Sequence, residues 1–115
     1  MIKRNGQYES EVREKMRGGE GEVKIEHFWS KDEMHANNRL FARLTLAPGS
    51  SIGFHEHNGE EEVFVVVKGR AEADDNGETV ILEAGDTILT GGAGHAIKSI
   101  GNEPLELVAV ISSYT

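Results

Sequence analysis

From Val23 onward, apolar and polar side chains alternate with a period of two. Turn signals interrupt the alternation about every 8–12 residues, a pattern that predicts a series of short β-strands. Val23, Ile25, His27 and Trp29 fall on one face, with Lys24, Glu26 and Ser30 opposite. Residues 31–38, KDEMHANN, read as a turn-like interruption. Leu40, Ala42, Leu44 and Leu46 then alternate with Arg39, Phe41, Arg43 and Thr45 until Pro48-Gly49, the dipeptide of a type II turn. Between Glu62 and Lys68 the pattern becomes dense. Phe64 and Val66 share the face of Glu62, while Val63, Val65 and Val67 point the other way. A strand apolar on both sides must be covered on both sides. One side can line a barrel, and the other must meet a second sheet, a covering segment or another subunit.

Further along, 71–73 and 79–83 predict a hairpin around DDNG, where Asn76-Gly77 signals a tight turn. Thr87–Thr90, His95–Ile100 and Leu105–Ile111 complete the strands, separated by the turns Glu83–Asp86, Gly91–Gly94 and Gly101–Pro104. Before Val23 the chain is polar. A short helix around Glu9–Met16, capped by Ser10, is expected there, stopped by Gly18, Gly19 and Gly21 in a turn. Eight or more short strands in one compositional regime predict a single all-β domain, an antiparallel sandwich or barrel.

Composition narrows the function. The 115 residues can bury roughly two-thirds of their unfolded surface. With Phe, Trp and Tyr at only 6%, the core must be aliphatic. A net charge of −8 argues against binding a nucleic-acid backbone or an anionic membrane. The absence of cysteine removes disulfides and thiolate chemistry. The polar N-terminus lacks a secretory apolar stretch, and no apolar run approaches the ~20 residues of a spanning helix, so a cytoplasmic protein is expected.

The chemistry concentrates in Gly49–Gly69. His55 and His57 sit two positions apart, so on a strand they point the same way, roughly 6.6 Å apart along it. Glu62 follows the Asn58-Gly59 turn and can return beside them on the next strand. His95, after a glycine loop and at the start of an alternating strand, is the candidate fourth ligand. Three imidazoles and a carboxylate suit Mn, Fe, Co, Ni, Zn or Cu far better than Ca or Mg. On an octahedral ion that set leaves two adjacent positions open for a substrate.

The segment resembles the first signature of the cupin superfamily. Gly49, five residues, His55, one, His57, four, Glu62, six, Gly69 matches it at every fixed position. The match selects Glu62 from the run Glu60–Glu62. GDTILTGGAGHAIKSIGN, Gly85–Asn102, resembles the second signature, with His95 at its histidine. It departs in two places. Gly91–Gly94 replaces the usual Pro-x-Gly and is one residue short, and Ser99 stands near the expected Asn, or Asn102 displaces it. The resemblance implies a small antiparallel jelly-roll β-barrel (a double-stranded β-helix) over 35–115, with a metal inside one end. It also implies a homodimer, with residues 1–34 packing on or exchanged with the second subunit.

Two functions follow as expectations. One is a divalent-metal-dependent enzyme acting on a small hydroxy- or oxo-acid, diol or sugar derivative, of the dioxygenase, isomerase, decarboxylase or lyase kind. The other is a module that binds or senses a small carboxylate such as oxalate without turnover. Arg43 is a candidate clamp for a substrate carboxylate if its face lines the lumen, although the leucine face is the more obvious core. His27 reads as a packed or rim histidine, His35 as exposed, and Glu60 and Glu61 as a solvated turn without functional weight.

Overall fold

A computed structural model describes residues 1–115. Ten strands form two antiparallel sheets that face each other as a jelly-roll barrel. In chain order they are β1 (Glu9–Glu14), β2 (Glu22–Trp29), β3 (Asn38–Leu46), β4 (Ser51–Glu56), β5 (Glu60–Lys68), β6 (Arg70–Asp75), β7 (Glu78–Glu83), β8 (Thr87–Gly91), β9 (Gly94–Ser99) and β10 (Leu105–Ser113). One sheet has the order β1-β2-β3-β10-β5-β8, the other β4-β9-β6-β7. No helix is long and apolar enough to cross a membrane.

Alternation sets the core as expected. Ala42, Leu44 and Leu46 of β3 point inward with Leu105, Leu107 and Ala109 of β10 and with Phe64 and Val66 of β5. The smaller sheet answers with Ile52, Ala71, Ala73 and Ile97. Val23 and Ile25 of β2 enter the same core, so residues from 1–34 and from 35–115 share one interior. The β6–β7 hairpin turns at Asn76-Gly77 with φ of 49° and 96°, both in the region that turn requires.

Two local expectations are corrected. Glu9–Glu14 is a strand rather than a helix, paired residue for residue with β2 from Glu9–His27 to Glu14–Glu22. It is an edge strand with little burial on either face, so its sequence carries no strong period, and the pairing decides its conformation. Trp29 does not share the face of Val23, Ile25 and His27. A register shift between His27 and Trp29 sets Trp29 opposite Phe41, on the outer face. A bulge of this kind reverses the alternation beyond it.

Candidate metal centre

His55 lies near the end of β4 and His57 just past it, Glu62 early in β5, and His95 at the start of β9. A bulge in β4 aims the first two. Ile52 pairs with Ile97 and His55 with His95, so one extra residue of β4 is absorbed between them. Without it, the parity that turns Ile52 inward would turn His55 outward. Gly53 sits in this bulge, and its carbonyl accepts a hydrogen bond from His55 Nδ1 at 2.8 Å.

The shortened glycine loop still delivers His95. Its connection tightens to Gly92-Ala93, with Gly92 at φ 63°. The backbone of His57 stitches to it on both sides. His57 N donates to Ala93 O at 3.0 Å, and Gly92 N to His57 O at 3.1 Å. Phe64 stacks on the His95 ring with centroids 4.9 Å apart and planes 10° from parallel.

The four side chains converge. His95 Nε2 lies 3.2 Å from both His57 Nε2 and His55 Nε2, while Glu62 Oε1 is 2.9 Å from His57 Nε2 and 3.0 Å from His95 Nε2. His57, Glu62 and His95 are buried, and His55 is half-buried. Each outer ring nitrogen has its own partner. Nδ1 of His57 meets Glu60 Oε2 at 2.6 Å, and Nδ1 of His95 meets Thr90 Oγ1 at 2.9 Å. Glu60 is gripped in turn by Arg39 through two hydrogen bonds of 2.7 and 2.8 Å. Chiefly through this Arg39 contact, its carboxyl is held down to about 2. Burial lowers the pKa of His55, which favours the neutral, ligating imidazole.

The consequence is chemical. With protons on the three Nδ1 atoms, three Nε2 lone pairs and a carboxylate oxygen face one another with no donor among them. Buried acceptors in such a group need a shared positive centre. These four residues can hold a metal ion. The model of the cupin domain matches residues 42–111.

The chain belongs to the cupin family.

This cupin is 45% identical over 112 residues to an oxalate-binding protein of Thermotoga maritima, an alignment covering 96% of this chain and 93% of that one. A crystal structure of a predicted oxalate decarboxylase from the same organism superposes with a TM-score of 0.93 at 44% identity, over 98% and 99% of the two chains. The cupin domain of Schizosaccharomyces pombe Cnp3 has a TM-score of 0.72 at 13% identity, covering 90% of this chain and 68% of that one, a likeness of fold alone.

Next to the four converging residues the cupin barrel encloses a cavity of about 140 Å³. Arg43 does not line it. Its side chain lies on the outer face of β3, bonded to Glu26 at 3.0 and 3.1 Å and set over the rings of Tyr8 and Phe28. Tyr8 and Tyr114 are also outside the cavity. Arg13, Arg17, Arg39 and His27 line it instead, so the N-terminal segment supplies part of the wall. His27 Nε2 is 3.1 Å from Glu11 Oε2, in the rim position expected of it.

Sequence reasoning gave Glu60 no role, whereas it holds His57. The available signal was parity, since Glu60 and Glu62 are two apart on one strand and so share a face. Nothing local marks Thr90 or Arg17, which reach the site only through the pairing of distant strands.

Proposed function

We propose that the protein binds a small chelating carboxylate of the oxalate class through a divalent transition metal held by His55, His57, Glu62 and His95. The convergence of four acceptors without a donor carries this reading. Neighbouring ligands of a six-coordinate ion with bonds of about 2.1 Å lie about 3.0 Å apart. Four of the six separations here run from 2.9 to 3.2 Å, and all lie within 4.8 Å. A four-ligand set on such an ion leaves two positions, matching the two oxygens of a chelate. The nitrogen-rich set selects Mn, Fe, Co, Ni, Zn or Cu.

The cavity supports a small anion. At about 140 Å³ it is of a size for a small molecule. Three of its lining residues are arginines, and its only carboxylate is Glu62. The name of the Thermotoga relative, an oxalate-binding protein, agrees with this chemistry.

Binding is favoured over turnover because no tyrosine and no uncommitted acid faces the cavity. One observation favours the enzyme reading. His27 lines the cavity and is paired with Glu11, which is a general acid–base arrangement. In that case the bound ion supplies Lewis acidity and His27 moves the proton.

Calorimetry of protein loaded in turn with Mn²⁺, Co²⁺, Ni²⁺ and Zn²⁺ tests the proposal. Oxalate is expected to bind the loaded protein, to fail to bind after chelation, and to leave chemically unchanged. No binding with any metal would sink the proposal, and conversion of oxalate that His27→Ala abolishes would move the assignment to the enzyme.

A further inference from the structure

Of the three arginines at the cavity, two are already neutralised. Arg13 Nε is bonded to Glu11 Oε1 at 2.6 Å, and Arg39 is held by both oxygens of Glu60. Arg17 has no carboxylate partner, yet it lines the same cavity as His55 and Glu62. Arg17 is exposed, and an unpaired cation at the edge of a small cavity is free to meet an entering anion.

The backbone around Arg17 is constrained to hold it there. Lys15 and Arg17 both occupy the left-handed region, at φ 48° and 54°, which costs a non-glycine residue about 1 kcal/mol or more. The turn is fixed by Lys15 N to Gly21 O at 2.9 Å, Gly18 N to Lys15 O at 2.9 Å and Gly19 N to Met16 O at 3.0 Å. Ser51 N to Glu20 O, at 2.8 Å, then ties the segment to β4. A Cβ at Gly53 would overlap the Arg17 carbonyl oxygen, and one at Gly19 would overlap that of Ser51. Two bare glycines therefore let the Arg17 turn press directly on the strand that carries His55. Strain of this sort persists where surrounding structure imposes it.

Charge arithmetic gives this residue a task. A divalent ion with three neutral histidines and Glu62 carries a net charge of about +1. A chelating monoanion neutralises that centre. A dianion such as oxalate leaves one negative charge, which Arg17 is placed to meet. We propose that Arg17 is a specificity determinant, the cation that makes the cavity prefer a two-carbon dicarboxylate over a hydroxy-monocarboxylate of the same size. The inference rests on the reading of the site as a metal-dependent carboxylate binder.

The test compares wild type with Arg17→Gln, Arg17→Lys and Arg17→Gly, all loaded with Co²⁺. The Co²⁺ absorption spectrum and a chelator competition report the metal site. Titration calorimetry reports oxalate and glycolate binding. In Arg17→Gln the oxalate Kd is expected to rise about tenfold, as for loss of one charge-assisted contact, with glycolate and Co²⁺ affinity unchanged. Arg17→Lys should recover most of the loss. Arg17→Gly, whose backbone suits the left-handed conformation, should reproduce the Gln result without conflict at φ 54°. An unchanged oxalate Kd, or equal loss for oxalate and glycolate, would overturn the role of Arg17 and leave the carboxylate reading standing. If wild type binds neither acid with metal loaded, both readings fall together.

Discussion

Removing the Glu60 carboxylate should weaken metal binding, although Glu60 is not one of the four converging residues. Its Oε2 accepts from His57 Nδ1 at 2.6 Å, which fixes the ring and presents Nε2 to the centre. Arg39 holds the same carboxylate through two bonds, so its position is set from both sides. Glu60→Gln keeps the shape but loses the charge, and its amide oxygen can no longer serve both partners as well. Loss of such an outer partner typically costs 10–100-fold in metal affinity, or about 1.4–2.7 kcal/mol. The low end is expected here, because His57 also keeps its two backbone bonds to the Gly92-Ala93 turn. The Arg39 side chain is 41% exposed, so losing its ion pair should cost folding stability no more than about 1 kcal/mol. The assay is a competition titration of Co²⁺ or Zn²⁺ against a chromophoric chelator at pH 7. Glu61→Gln serves as control, since Glu61 points to the opposite face. A Glu60→Gln dissociation constant within twofold of wild type would refute the argument.

Four further outcomes are expected. Phe64→Ala removes a 2%-exposed ring stacked on His95 and should cost about 3–5 kcal/mol in chemical denaturation, together with some metal affinity. Ser99→Ala should raise stability by about 1 kcal/mol, or about 4 °C in Tm, because the Ser99 hydroxyl is fully buried and has no hydrogen-bond partner. The Glu33 carboxyl is lowered from 4.5 to about 2, first by Lys3 and then by the Ser30 backbone N–H. A depressed folded pKa stabilises above the ordinary value and is lost on acidification. The stability difference between wild type and Glu33→Gln should therefore be constant above about pH 5 and shrink between pH 4.5 and 2. Finally, Val67 is 50% and Leu89 61% exposed on the outer side of β5 and β8, beside the half-buried Val63 and Val65. This apolar face predicts a homodimer by sedimentation velocity, converted to monomer by Val65→Lys, and a wild-type monomer at tens of micromolar would contradict it.

The barrel and the four converging residues were legible because both depend on short-range rules. A period of two gives strand faces, and the spacing of His55, His57 and Glu62 puts three candidate metal ligands around one turn. His95 was legible from its place after a glycine loop at the start of an alternating strand, and the resemblance supported it across the thirty-two residues that separate it from Glu62. The edge strand β1 was illegible for a physical reason. Exposed on both faces, it has no buried side to write a pattern into its sequence. The bulge at His27–Trp29 was hidden likewise, because an inserted residue changes parity without changing composition. The cationic wall escaped for a third reason. The Arg17 turn packs on the strand that carries His55 through two glycines that only the folded backbone brings together.

The β4 bulge makes one strand serve two masters that want opposite phases. Up to Ile52 it is in step with the aliphatic interior, and from His55 it is in step with the polar centre. Ironing out the bulge with no residue lost would thus act as a frameshift in space. Every side chain downstream would keep its identity and change its side, so Phe54 and Glu56 would turn inward and both histidines outward. Deleting the one extra residue would instead restore plain alternation with Ile52 and His55 both still inward, so the phase of this strand is set by its pairing with β9 and its residue count together.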